Sequence, residues 1–270
     1  MRLNITHRTV YHYEDAPFYS AQILRLTPRT NVSQHVLRWR IDTPGGLSAW
    51  TDAFGNACHT HVVDDPPEHL AITAQGEVVT ADVGGILPAE PGDLPLEIFL
   101  RQTERTRPGA AIAGFARQFA GPMKTDRLDT LHEMMSALRE RVSYEAERTD
   151  ASSTAAEAFE TGYGVCQDHA HIFISAARLL GVPARYVSGY LYDVDARAGG
   201  ATGHAWAAAW IDGLGWVSFD VSNGRSASET YVSIAVGLDY DSASPIRGMR
   251  TGGEGGEALE VSVTVSSAQQ

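Results

Sequence analysis

Residues 162–183 read GYGVCQDHAHIFISAARLLGVP, and this stretch decides the fold of the second half of the chain. Cys166, Ala170, Phe173, Ile174, Ala177 and Leu180 recur at the three- and four-residue spacing of a helix with one apolar stripe. Gly181 and Pro183 follow in the order that ends a helix. Gly162 and Gly164 let the chain turn tightly into the first residue, which is a cysteine. At that position the unpaired backbone N–H groups and the macrodipole favour thiolate over thiol. The same amides are placed to hold the oxyanion of a tetrahedral intermediate.

Downstream the period changes from 3.6 to two. Arg185 to Tyr192, His204 to Ile211 and Trp216 to Asp220 read as strands, so helices are followed by an antiparallel sheet. His204 opens one strand of a hairpin and Asp220 closes the next, each eight positions from Asp212. A three-residue loop Ile211-Asp212-Gly213, with Gly213 in the left-handed conformation, predicts that the two side chains lie directly opposite. A four-residue loop from Asp212 to Gly215 would put Asp220 opposite Ala207, with the side chains on different faces. Cys166, His204 and Asp220 therefore read as nucleophile, base and orienting acid of a cysteine triad for acyl transfer at amide bonds. A lone cysteine on an apolar stripe is ordinarily a packing residue. The glycine-rich entry, the helix start and the His/Asp hairpin set this one apart.

Upstream, Asp126 to Arg141 carries Leu128, Leu131, Met134, Met135 and Leu138 on one helical stripe, Leu94 to Phe119 is helical in places, and Ser152 to Phe159 is a short helix. Before that, from Arg2 to about Asp82, short alternating runs such as Val36 to Ile41 are separated by turn signals, among them Phe54-Gly55-Asn56. They read as an antiparallel β-sandwich. The class is α+β: a β-sandwich over residues 1–85, a core of helices packed on an antiparallel sheet over 86–250, and a C-terminal strand and tail over 251–270 that returns to a sheet. The breaks Gly84, Gly85, Pro88, Pro91 and Gly92 suit a linker.

A formal charge of -12 disfavours nucleic acid and membrane surfaces as partners. Met1 to Tyr13 alternates polar and apolar residues and reads as neither a signal peptide nor a spanning helix, which makes a cytoplasmic protein the expectation. Two cysteines, Cys58 and Cys166, are too few for a disulfide framework and read as free thiols. His169 and His171 point about 160° apart on a helix and cannot share an ion. His171 reads as a polar residue packed behind the nucleophile, and His59 and His61 as an ordinary solvated strand face. No metal or cofactor is expected. Trp206 shares the alternation phase of His204 and is the tryptophan expected to border a pocket. With Tyr163 and Gly164 it completes the candidate substrate-binding set, although for Tyr144 and Tyr163 packing is a safer expectation than assistance at the oxyanion.

Gly164-Val165-Cys166-Gln167-Asp168, Gly203-His204-Ala205-Trp206 and Gly215-Trp216-Val217-Ser218-Phe219-Asp220 resemble the transglutaminase-like superfamily, in the same Cys, His, Asp order. The bacterial branch with an N-terminal β-domain is the most similar, from Tyr11-His12-Tyr13 through Phe54-Gly55-Asn56 to Val236-Gly237-Leu238-Asp239-Tyr240 and Pro245-Ile246-Arg247-Gly248. The resemblance implies a papain-like core with Cys166 as nucleophile, His204 as base and Asp220 as orienting acid. Members of that branch are described as candidate cysteine proteases. This chain departs from the pattern at Val221-Ser222, where a proline often occurs, and at His169, where an aromatic is usual. The expected activity is hydrolysis of a peptide or protein amide through a thioester. The alternatives are transfer of the acyl group to a primary amine and a non-catalytic peptide-binding module.

Overall fold

The computed structural model describes residues 1–90, 93–145, 153–193 and 201–267. The first six strands are β1 (Arg2–Tyr13), β2 (Tyr19–Thr27), β3 (Gln34–Asp42), β4 (Gly46–Thr51), β5 (Ala57–Asp64) and β6 (His69–Thr80), and a short β7 (Ile86–Leu87) follows. Next come α1 (Ala110–Arg117), α2 (Arg127–Arg141), β8 (Ser143–Tyr144), α3 (Ala155–Thr161), β9 (Tyr163–Gly164) and α4 (Cys166–Leu179). The chain then runs through β10 (Ala184–Tyr192), β11 (Ala201–Ile211), β12 (Gly215–Phe219), β13 (Tyr231–Gly237), α5 (Tyr240–Ala243), β14 (Ile246–Thr251) and β15 (Glu257–Ser267).

Two four-stranded antiparallel sheets, ordered β15-β1-β6-β3 and β14-β2-β5-β4, form the expected sandwich, and a five-stranded sheet β13-β10-β11-β12-β7 carries the helices. The fold is thus α+β. Each sandwich sheet takes its edge strand from the C-terminal region. β15 pairs with β1 from Leu3↔Ser267 to Tyr13↔Glu257, and β14 pairs with β2. Leu3 and Ile5 of β1, Val78 of β6 and Val265 of β15 lie in the same core as the helices. Within the stretch expected to link the halves, Ile86 and Val217 pair, which adds an edge to the central sheet.

Helix α4 differs from the amphipathic stripe read from its sequence. Every residue from Asp168 to Arg178 is buried, polar ones included, because α1, α2 and α3 cover the sides that the sheet does not. Phe173 stacks on Phe219 of the sheet with centroids 4.9 Å apart. Burial on this scale stabilises by about 1.5–3 kcal/mol per large apolar side chain. Several of the buried polar residues are hydrogen-bonded. Arg178 donates to the carbonyls of Phe99, Ala184 and Leu238 and to Thr106 Oγ1, tying the end of α4 to segments before it and to the start of β10 and the end of β13 after it. Burial lowers its pKa to about 10 while the nearby Asp239 charge opposes the change, so it stays cationic at neutral pH beside the negative end of the helix.

The solvated strand face expected at His59 and His61 is not found. His61 is wholly buried, with Nδ1 2.9 Å from Gln22 Oε1 and Nε2 2.7 Å from the Pro44 carbonyl, because the β4 hairpin folds over β5. Among the described residues no helix is long and apolar enough to cross a membrane.

Candidate active site

Helix α4 begins at Cys166, and the His169 amide bonds to the Val165 carbonyl at 3.0 Å. The amides of Cys166 and Gln167 precede that bond in the first turn, where a helix offers them no acceptor of its own. Asp168 Oδ2 accepts from the Val165 N–H at 2.9 Å, which fixes the turn entering the helix. Gly164 makes room for this contact, since a Cβ there would meet Asp168 Cβ at 2.7 Å.

His204 stands on β11 beside the helix start. Its Nε2 lies 2.6 Å from Asp220 Oδ2, and it lines the same cavity as Cys166. With Nε2 committed to the carboxylate, Nδ1 is left for sulfur. Burial opposes a charge on this imidazole. The hydrogen bonds to Asp220 and Cys166, with the charges of both groups, overcome that cost and raise its pKa to about 10. Asp220 is fully buried. Burial alone would push its carboxyl up, but hydrogen bonds from His204, Asn223 and Tyr231 hold it below the usual range. Asn223 Nδ2 and the Tyr231 hydroxyl each donate to Oδ2 at 2.7 Å. Burial first, then the Asp220 charge, pushes the Tyr231 phenol up, so it remains a donor.

The hairpin brings His204 and Asp220 together by a register other than the expected one. Ile211 pairs with Gly215 and Ala207 with Phe219, so the three-residue loop is Asp212-Gly213-Leu214, one position later than predicted. That register places Asp220 across from Trp206, diagonal to His204 on the same face. Gly213 is left-handed as expected, and Gly215 also has positive φ, where a Cβ would lie 2.5 Å from the Leu87 carbonyl oxygen.

A cavity of about 260 Å³ opens beside Cys166, Gln167 and His204, and Tyr186, Tyr190 and Tyr240 are part of its wall. Tyr163, Gly164 and Trp206, expected as substrate-binding residues, do not line it. Trp206 instead backs His204, with ring centroids 6.1 Å apart, and packs on Tyr231. Its ring covers Gly189, the strand partner of His204, where a Cβ would lie 2.6 Å from the indole.

His169 and His171 diverge as expected. His169 bonds to Ser222 and to the Val142 carbonyl, whereas His171 accepts from the Tyr240 amide on the other side of the helix. Among the described residues no three His, Cys, Asp or Glu side chains converge as metal ligands. Sequence reasoning missed Asn223 and Tyr231. Asn223 had a signal, since an amide three residues after an aspartate suits a local side-chain turn. Tyr231 had none, because it arrives on another strand.

A family model described as the transglutaminase-like superfamily matches residues 113–221, and one described as the bacterial transglutaminase-like N-terminal region matches residues 3–79. An uncharacterised protein of Mycobacterium leprae is 29% identical over 286 residues, covering 98% of both chains. An uncharacterised protein of Mycobacterium tuberculosis is 28% identical, covering 98% of this chain and 92% of its own. A crystal structure of a candidate cysteine protease from Cytophaga hutchinsonii superposes with a TM-score of 0.78 at 21% identity. The match covers 100% of this chain and 91% of that one, a likeness of fold.

Proposed function

The chain belongs to the transglutaminase-like superfamily, and from that premise we propose that it is a cysteine-dependent amide hydrolase acting on a peptide or protein. One observation carries the proposal: the cysteine that starts α4 lines the same cavity as an imidazole whose Nε2 lies 2.6 Å from a buried carboxylate. Asp220 orients the ring and stabilises its cationic form. The Cys166 thiolate attacks the amide carbonyl while amides at the start of α4 receive the oxyanion. His204 then gives its proton to the departing amine, leaving a thioester on Cys166. Water, deprotonated by the now neutral His204, attacks the thioester and releases the acid. Resolution by a primary amine would make the same intermediate a transglutaminase, and a non-catalytic module would leave the thiol sluggish. Cytoplasmic residence belongs to the same proposal, supported by two cysteines that are both free thiols.

The test is alkylation by iodoacetamide. Cys166 in the wild type is expected to react at least tenfold faster than in His204→Ala, and Cys58, which is buried, does not compete. Equal and slow rates in both proteins would refute the enzyme. Incubating a peptide amide library with and without a primary amine, and reading ammonia and adducts by mass spectrometry, then separates hydrolysis from transfer.

A further inference from the structure

The cavity beside Cys166 is closed on its far side by strands that carry none of the three triad residues. His7, Thr9 and Tyr11 of β1 line it, and so do Val263, Val261 and Leu259 of β15. These are three alternate rungs of one antiparallel ladder, His7↔Val263, Thr9↔Val261 and Tyr11↔Leu259, so a single face of the β1–β15 pair looks into the cavity. Leu259 and Val261 are more than half exposed, unusual for large aliphatic residues unless something covers them in use.

The imidazole on this wall is already hydrogen-bonded at both nitrogens. His7 Nδ1 lies 2.9 Å from the Tyr190 hydroxyl and Nε2 3.2 Å from Thr9 Oγ1. Burial drives the His7 pKa down to about 4, so the ring is neutral. Among the described residues no Asp, Glu, Lys or Arg lines the cavity. A charged substrate side chain held against the β1–β15 face would lose water and gain no counter-charge from that face.

Resting on the function proposed above, we infer that the β1–β15 face is the specificity wall of the enzyme and receives an uncharged, apolar side chain from the acyl part of the substrate. Cys166 and Gln167 line the same cavity, so a group held there stays beside the sulfur once the thioester has formed. The N-terminal sheet thereby selects the substrate, and the C-terminal strand supplies half of the selecting surface.

The experiment uses peptidyl acyloxymethyl ketones, which alkylate an activated cysteine, with Leu, Phe, Asp or Lys next to the ketone. Labelling of Cys166 is followed by intact mass and normalised to each protein's own iodoacetamide rate. Leu and Phe probes are expected to label wild-type Cys166 at least tenfold faster than Asp and Lys probes. Val261→Glu, at an exposed site that tolerates substitution, is expected to raise the Lys-to-Leu rate ratio at least tenfold. A spread under tenfold among the four probes, or an unchanged ratio in Val261→Glu, overturns the wall assignment. These failures are distinct from failure of the enzyme itself, which shows as an iodoacetamide rate that does not depend on His204.

Discussion

His169 Nδ1 and Ser222 Oγ lie 2.8 Å apart, so the departure from the transglutaminase-like pattern at His169 is bonded to the Val221-Ser222 segment, which carries the other departure. The contact joins the first turn of α4, which carries Cys166, to the loop leaving Asp220. His169 is almost wholly buried, and its other nitrogen is taken by the Val142 carbonyl. Ser222→Ala strands a buried imidazole nitrogen and is expected to cost about 1–2 kcal/mol in urea unfolding. Ser222→Thr, which keeps the hydroxyl, should recover most of it. Equal losses in both variants would mean the hydrogen bond contributes nothing.

Stability should depend on pH through the His204 and Asp220 pair. The Asp220 carboxyl titrates below its ordinary value near 4 in the folded state, so its contribution is present above that and is lost as pH falls through the folded pKa. His204 is raised to about 10, so its contribution is complete below roughly 6.5 and is lost as pH rises toward 10. Both are fully present between about pH 4 and 6.5. The Tm of the wild type is expected to fall between pH 6.5 and 10 more steeply than that of His204→Gln. Parallel profiles in that interval would contradict the assignment.

Tyr231→Phe removes one of the three side-chain donors on the Asp220 carboxylate. The carboxyl pKa should rise and the imidazole should be held less firmly. A fall of about tenfold in kcat/KM is expected, equivalent to ~1.4 kcal/mol of transition-state stabilisation. Asn223→Ala, at an exposed position, should act the same way with little change in Tm. The two sets of kinetic constants check this.

Gly164→Ala forces a Cβ against Asp168, whose carboxylate holds the Val165 amide. Moving that carboxylate tilts the first turn of α4, and alkylation of Cys166 is expected to slow several-fold with a loss of about 1–3 kcal/mol of stability. Iodoacetamide kinetics alongside urea denaturation measure both effects.

Arg178→Leu leaves three buried carbonyls and the Thr106 hydroxyl without their donor. Each orphaned group costs about 1–3 kcal/mol, so the variant should be destabilised by at least ~3 kcal/mol or fail to fold. Circular dichroism and expression level report this directly.

What was legible in the sequence was local. The helix starting at Cys166 announced itself by period and by the glycines at both ends, and the meeting of His204 and Asp220 followed from alternation about a tight turn. The register of that turn differs from the expected one by one residue, with Gly215 lying against β7, over a hundred positions upstream, where only glycine fits. Period alone does not reveal that other helices cover the side of α4 opposite its apolar stripe. The burial of His61 is hidden for a similar reason, since its partners are Gln22 on β2 and Pro44 in the turn between β3 and β4. Tyr231 and the β1–β15 wall escaped altogether, being set by pairings between distant segments.

That last pairing also orders the birth of the molecule. β1 leaves the ribosome about 250 residues before β15, a delay of roughly 10–50 s at usual synthesis rates of about 5–20 residues per second. Throughout that interval one edge of β1 has no neighbour, and from the time Cys166 is translated the cavity beside it lacks half of one wall. On the function proposed above, a nascent chain would carry its thiol without the selecting surface until β15 docks.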